Sequence, residues 1–145
     1  MRQINEIIIH CSATPEGRDV TVEDIDRWHR QRNFKCIGYH YIIYLDGSIH
    51  KGRDESMQGA HCSLHNACSI GVCYIGVCYI GGCEKKGNKL IPKDTRTPAQ
   101  KEALIGLLKE LKEKYPQATI HGHNEFAKKD CPCFDVQKEY GQIGL

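Results

Sequence analysis

A chain of 145 residues fits one domain, 1–145, and can bury a core without cross-links. Its composition, 40% hydrophobic and 26% charged, is that of a folded globular protein, and a net charge of +2 is too weak to point to nucleic acid. No apolar stretch approaches a membrane-spanning length, and the polar opening followed by only Ile7-Ile8-Ile9 offers no secretory h-region, so synthesis and retention in the cytoplasm are expected. The nine cysteines are odd in number, and reduced thiols, mostly small and buried, are the expectation.

Ile7-Ile8-Ile9 is a β-branched run that stops at His10-Cys11-Ser12 and reads as a buried strand ending at a polar site. Thr21 to Arg32 reads as a helix capped by Thr21, with Val22, Ile25, Trp28 and His29 on one face. Tyr39 to Leu45 reads as a strand, and Ser48 to His50 as its return across an Asp46-Gly47 turn of type I′. Ser69 to Ile80 is strand-like and contains a perfect tandem repeat, Gly71 to Ile75 copied as Gly76 to Ile80. An odd repeat length exchanges the two faces of a strand, which suits a covered central strand or a bulge at Gly76. Gly81 to Thr95 reads as a loop. Thr97 to Tyr115 is the clearest helix: Thr97 and Gln100 form a capping box, Pro98 takes the first position, and Leu104, Leu107, Leu108, Leu111 and Tyr115 form the stripe. A short strand, Ala118 to Ile120, leads into a polar segment, His121 to Asp135, and the tail adds a short helix. Alternating strands and helices predict an α/β or α+β fold with helices packed on a mixed sheet.

The segment His121 to Cys133 holds two imidazoles and two thiols. It reads either as a surface loop or as a metal site, since imidazole and thiolate are the preferred donors for zinc. Its spacing fits no common zinc finger. A catalytic zinc takes three protein ligands, and His10, at the end of a rigid strand, is the best distant third.

Ile7 to Thr14 resembles the opening motif of the zinc-dependent N-acetylmuramoyl-L-alanine amidases, a family that includes short phage lysozymes and the peptidoglycan recognition proteins. Gly38 to Ile43, Asp46-Gly47 through Glu55, Gly59-Ala60-His61 through Val72, and Cys131-Pro132 through Asp135 resemble it in the same order. The resemblance spans nearly the whole chain and implies a central mixed β-sheet flanked by helices, with Zn2+ in a surface groove. It implies His10, His123 and Cys131 as zinc ligands, Tyr39 and Lys129 as active-site residues, and His121 and Cys133 as bystanders. Lys128 stands beside Lys129, which leaves a one-residue ambiguity. His61 falls at a position often histidine in these enzymes, lining the groove or orienting a neighbour. His40 is expected on the strand face opposite Tyr39. Arg53 is expected either to pair with a substrate carboxylate or to brace the hairpin with Asp54.

The implied activity is hydrolysis of the amide between N-acetylmuramic acid and L-alanine in peptidoglycan. Zinc would activate water and polarise the carbonyl, Lys129 would stabilise the oxyanion, and Tyr39 would hydrogen-bond the reacting groups. Peptidoglycan or a muropeptide is the expected partner of a monomer, with no nucleic acid and no membrane segment. A phage or prophage endolysin that reaches the wall on release fits this reading. The alternatives are a peptidoglycan-binding module without catalysis, a cytoplasmic amidase of recycled muropeptides, and a thiol enzyme using Cys131 or Cys133. The second copy of the pentapeptide departs from the family pattern and contains none of these site residues.

Overall fold

A computed structural model describes residues 2–14, 17–76, 79–80, 91–92 and 94–143. Its main sheet has the order β3-β2-β4-β1-β7. The strands are β1 (Glu6–Cys11), β2 (Tyr41–Ile43), β3 (Ile49–Lys51), β4 (Ser69–Tyr74) and β7 (Thr119–Gly122). β1 runs parallel to both β4 and β7, β4 is parallel to β2, and only the hairpin partner β3 is antiparallel. The sheet is therefore mixed, as the alternating elements predict.

Alternation along β1 divides the core. Ile7, Ile9 and Cys11 join Ile70, Val72 and Tyr74 of β4 beneath α2 (Pro98–Lys114), which supplies Leu104, Leu107, Leu108 and Leu111. A smaller cluster of Val20, Ile25, Ile37, Ile42 and Ile75 lies under α1 (Val22–Gln31). Both helices begin with reciprocal caps: Thr21 with Asp24, and Thr97 with Gln100. α3 (Val136–Tyr140) closes the chain, with Asp135 as its cap.

Several local expectations change. β2 begins at Tyr41 and not at Tyr39, and the hairpin does not use a type I′ turn. The Tyr44 carbonyl accepts from Gly47 N (2.9 Å), Tyr44 N donates to the Ser48 carbonyl (2.9 Å), and Gly47 alone takes a positive φ, +86°. This is the three-residue loop with glycine in the left-handed position. Asp46 keeps a negative φ and accepts from the Ser48 amide and hydroxyl.

The tandem repeat does not extend one strand. Its first copy lies in fully buried β4, but the strand ends at Tyr74. Ile75 N still reaches the Ile43 carbonyl, and Gly76 then bonds to Ser12 Oγ and Thr14 N. Tyr79–Ile80 (β5) pairs antiparallel with Ile91–Pro92 (β6) in a separate ribbon, so part of the segment read as a loop is strand. The rest of that segment, 81–90 and 93, lies outside the described residues. The polar anchors at Ser12 and Thr14, not the apolar pattern, take up the backbone beyond the central strand. Cys133 is disulfide-bonded, contrary to the expectation of reduced thiols throughout, whereas Cys36, Cys62, Cys68, Cys73 and Cys131 are thiols. Counting cysteines carries no information on which sulfurs meet in space.

Gln100 seals the end of the sheet. It is fully buried, its Oε1 accepts from Thr97 N, and its Nε2 donates to the carbonyls of Ile43 (3.3 Å) and Ile75 (2.7 Å). Gln100→Ala strands these buried groups and is expected to destabilise the fold by about 1–3 kcal/mol, measured as a shift of the urea midpoint. An unchanged midpoint would deny Gln100 this role.

Candidate active site

Alternation turns His10 away from α2 and toward the face that carries α1. His10 is 1% exposed. His123 follows β7 in a short 3-10 turn (His123–Glu125), and Cys131 lies in the loop beyond. One donor atom from each of His10, His123 and Cys131 falls within 4.8 Å of the others, a group that could hold a metal ion. His10 Nδ1 lies 3.1 Å from His123 Nδ1. No other such group occurs among the described residues.

The two imidazoles are neutral and the sulfur is hydrogen-bonded. Burial lowers the proton affinity of His10 well below its usual range, helped by His61, His123 and the Lys129 cation. Burial, then Lys129, lowers that of His123. Both imidazoles therefore keep a lone pair at neutral pH. The Cys131 sulfur accepts from Cys11 N (3.2 Å), and the Cys11 thiol also hydrogen-bonds it; that bond, followed by burial, raises the Cys11 pKa. The Cys131 loop is tied to the sheet by Tyr74, whose hydroxyl donates to the Pro132 carbonyl (2.6 Å).

A groove of about 1020 Å³ opens over this group. Trp28, His29, Arg32 and Phe34 line it, as do Phe126 to Asp130. Tyr39 lines it, with its ring 5.2 Å from that of His10. Burial drives the Tyr39 pKa well above its usual value, with neighbouring cysteines adding to the shift, and its hydroxyl bonds the Cys73 thiol. Tyr39 thus stays protonated, a donor and not a base. Lys128 and Lys129 are both exposed on the rim, but only Lys129 acts electrostatically on His10 and His123.

Other expected candidates sit elsewhere. His121 bonds Glu125 Oε1 (2.8 Å) and Thr119 Oγ1 (2.6 Å), outside the donor group. His40 accepts from Gly71 N (3.0 Å) and bonds the Met57 carbonyl, away from the metal group as expected. Its position opposite Tyr39 does not follow strand alternation, because both precede β2. Arg53 spends its guanidinium on the carbonyls of Ile37, Gln58 and Cys36, and neither pairs with Asp54 nor lines the groove. Sequence reasoning gave no site role to Cys11, Trp28 or Phe34. Trp28 carried one signal, its place on the α1 stripe that faces the sheet.

A mixed sheet flanked by helices, with a His-His-Cys group that could hold a metal ion in an open groove at strand ends, defines an α/β protein with a candidate metal centre. Residues 1–134 match the family described as N-acetylmuramoyl-L-alanine amidase, and the chain belongs to that family. It is 40% identical over 137 residues to the endolysin of Enterobacteria phage K11, covering 94% of this chain and 85% of the relative. It is 40% identical over 133 residues to the endolysin of Escherichia phage T7, covering 91% and 82%. Among solved structures it resembles the N-acetylmuramoyl-L-alanine amidase LysC from Clostridium intestinale, with a TM-score of 0.72, 28% identity, and coverage of 90% and 77%. The chain is thus an enzyme that hydrolyses amide bonds in peptidoglycan.

His29 gives the groove wall a pH dependence. Its Nδ1 accepts from Gly38 N (2.8 Å), and burial, then the cations Arg32 and Arg53, hold its pKa at about 4 against 6.5. The unfolded chain binds the proton first as pH falls, so this contribution is whole above 6.5 and is lost between 6.5 and about 4. His29→Asn keeps an acceptor for Gly38 but does not titrate. Metal-free His29→Asn should lose less melting temperature than wild type between about pH 7 and about pH 5. Equal losses would show that His29 does not contribute.

Proposed function

We propose that His10, His123 and Cys131 hold a zinc ion and that the enzyme cuts the amide between N-acetylmuramic acid and L-alanine in the intact wall. The convergence of two neutral imidazoles and a hydrogen-bonded thiol, from three separate parts of the chain, carries this reading. The donor chemistry fits zinc: nitrogen and sulfur ligands, three in number, beside an open groove. Zinc so held supplies Lewis acidity, which activates water and polarises an amide carbonyl.

The chain's own groups do the rest. The aromatic walls, Trp28 and Phe34 facing Phe126, seat the substrate and exclude bulk water from the scissile amide. Lys129 brings a cation to the oxygen on which negative charge develops. The Tyr39 hydroxyl, held protonated by burial, can give up its bond to the Cys73 thiol and donate a hydrogen bond to the same intermediate. Action as a monomer is part of this reading. No described helix is long and apolar enough to cross a membrane. Relatives named endolysins support release onto the wall over the recycling of soluble fragments.

Digestion of purified sacculi tests the reading. Zinc-loaded protein should release new L-alanine amino termini, and Cys131→Ala should not. A chelator should abolish the activity and added zinc restore it; chelator-resistant cleavage would move the chemistry to a thiol. Binding of muropeptide without cleavage by the zinc-loaded protein would contradict the reading. Lys129→Ala is expected to lower kcat by roughly 10²–10³-fold, and Lys128→Ala far less. The reverse order would reassign the cation.

A further inference from the structure

We propose that His61, which touches no metal donor position itself, is the positioning residue that fixes His10 as an Nδ1 ligand, with Ser69 as the end of the relay. The inference rests on the reading of His10 as a metal ligand.

His10 turns Nδ1 toward His123 and Cys131, and Nε2 into the protein, 2.8 Å from His61 Nδ1. A neutral imidazole has one N–H. When Nδ1 gives its lone pair to a metal, the proton must sit on Nε2, in an interior where a donor needs an acceptor. His61 Nδ1 is that acceptor. Its own proton then belongs on Nε2, which faces Ser69 Oγ at 3.2 Å. Ser69 is fully buried at the start of β4. The opposite arrangement places the proton on His10 Nδ1 and blocks the donor group.

The slot that holds His61 is narrow. A Cβ on Gly71 would come within 2.6 Å of the His61 ring, and one on Gly59 within 2.7 Å. The ring lies against bare backbone, which explains why glycine is needed at both positions. Asn66 fixes the other end of the residue, since its Oδ1 accepts from both His61 N and Cys62 N at 2.9 Å. The ring of His61 stands edge-on to that of His10, 87° between planes, with the two nitrogens 2.8 Å apart. A metal affinity set at His10 thus depends on residues contributed by the Gly59–Ser69 segment. Groups that orient ligating histidines in this way typically change metal affinity by roughly 10–100-fold when removed.

The test is zinc affinity by chelator competition at neutral pH, on the full chain, for wild type, His61→Ala, His61→Asn and Ser69→Ala. His61→Ala removes the acceptor and should weaken zinc by roughly 10–100-fold. His61→Asn places Oδ1 near the old Nδ1 and should recover most of the loss, which a cavity effect alone would not predict. Ser69→Ala should fall between wild type and His61→Ala. In zinc-loaded wild type, the His10 Nε2–H proton should resist exchange in NMR spectra, and in His61→Ala it should exchange rapidly. The melting temperature of each metal-free variant separates misfolding from lost affinity. If His61→Ala binds zinc as tightly as wild type and keeps the protected His10 proton, the relay is wrong while the metal centre stands. If wild type takes up no zinc, both readings fall together.

Discussion

The site depends on the way β1 sits in the sheet. It is paired on both edges, to β4 and to β7, and covered on both faces. A strand so enclosed has no freedom to slip, because a shift of one residue would exchange Ile7 and Ile9 with Ile8 and His10. With the register fixed, His10 must emerge on the face opposite α2. Because β1, β4 and β7 are parallel, their carboxyl ends share one edge of the sheet, and ligand groups gather outside such ends in α/β folds. His123 comes immediately after β7, and so arrives beside His10 without any long excursion of the chain.

A second principle is the absence of charge on the imidazoles. Buried bases lose protons, and here burial lowers the proton affinity of His10, His29, His40, His61 and His123 alike, holding His61 at about 3. Cationic side chains stay where water reaches them: Lys128 and Lys129 are exposed on the rim, where charge costs little desolvation. The dry floor of the groove keeps lone pairs, while the wet rim keeps the cation. Arg2 and Arg53 donate to backbone carbonyls and so hold the loops, while the field of Arg53 helps keep His29 in the groove wall neutral.

The duplicated pentapeptide shows how a central strand tolerates an insertion. An uninterrupted strand would have had to turn its faces over midway. Instead the first copy fills β4, Gly76 is held by Ser12 and Thr14, and the chain then leaves the main sheet for the β5–β6 ribbon. The apolar residues of β4 keep their register against β1, and the residues around the metal group are untouched. Gly76 has little room for a side chain, since a Cβ there would meet Thr95 and the Tyr74 ring.

The sequence alone determined the elements whose causes are local: the buried strand at Ile7–Ile9, both capped helices, and the leucine stripe of α2. It also marked His10, His123 and Cys131 as metal-donor types, through motif resemblance. It misread what depends on partners far along the chain. The end of β4 at Tyr74 and the disulfide at Cys133 depend on neighbours that no local pattern reveals, whereas the Gly47 turn is local and differs from the expected one by a single residue of loop length. Arg53 looked available for substrate until the carbonyls of Ile37 and Gln58 were seen to occupy it. That Lys129 acts electrostatically on His10 and His123, and that His61 bonds both His10 and Ser69, is visible only in the tertiary structure. Hydrogen bonds and fields act over a few ångströms of space, whereas spacing along the chain measures only where residues begin.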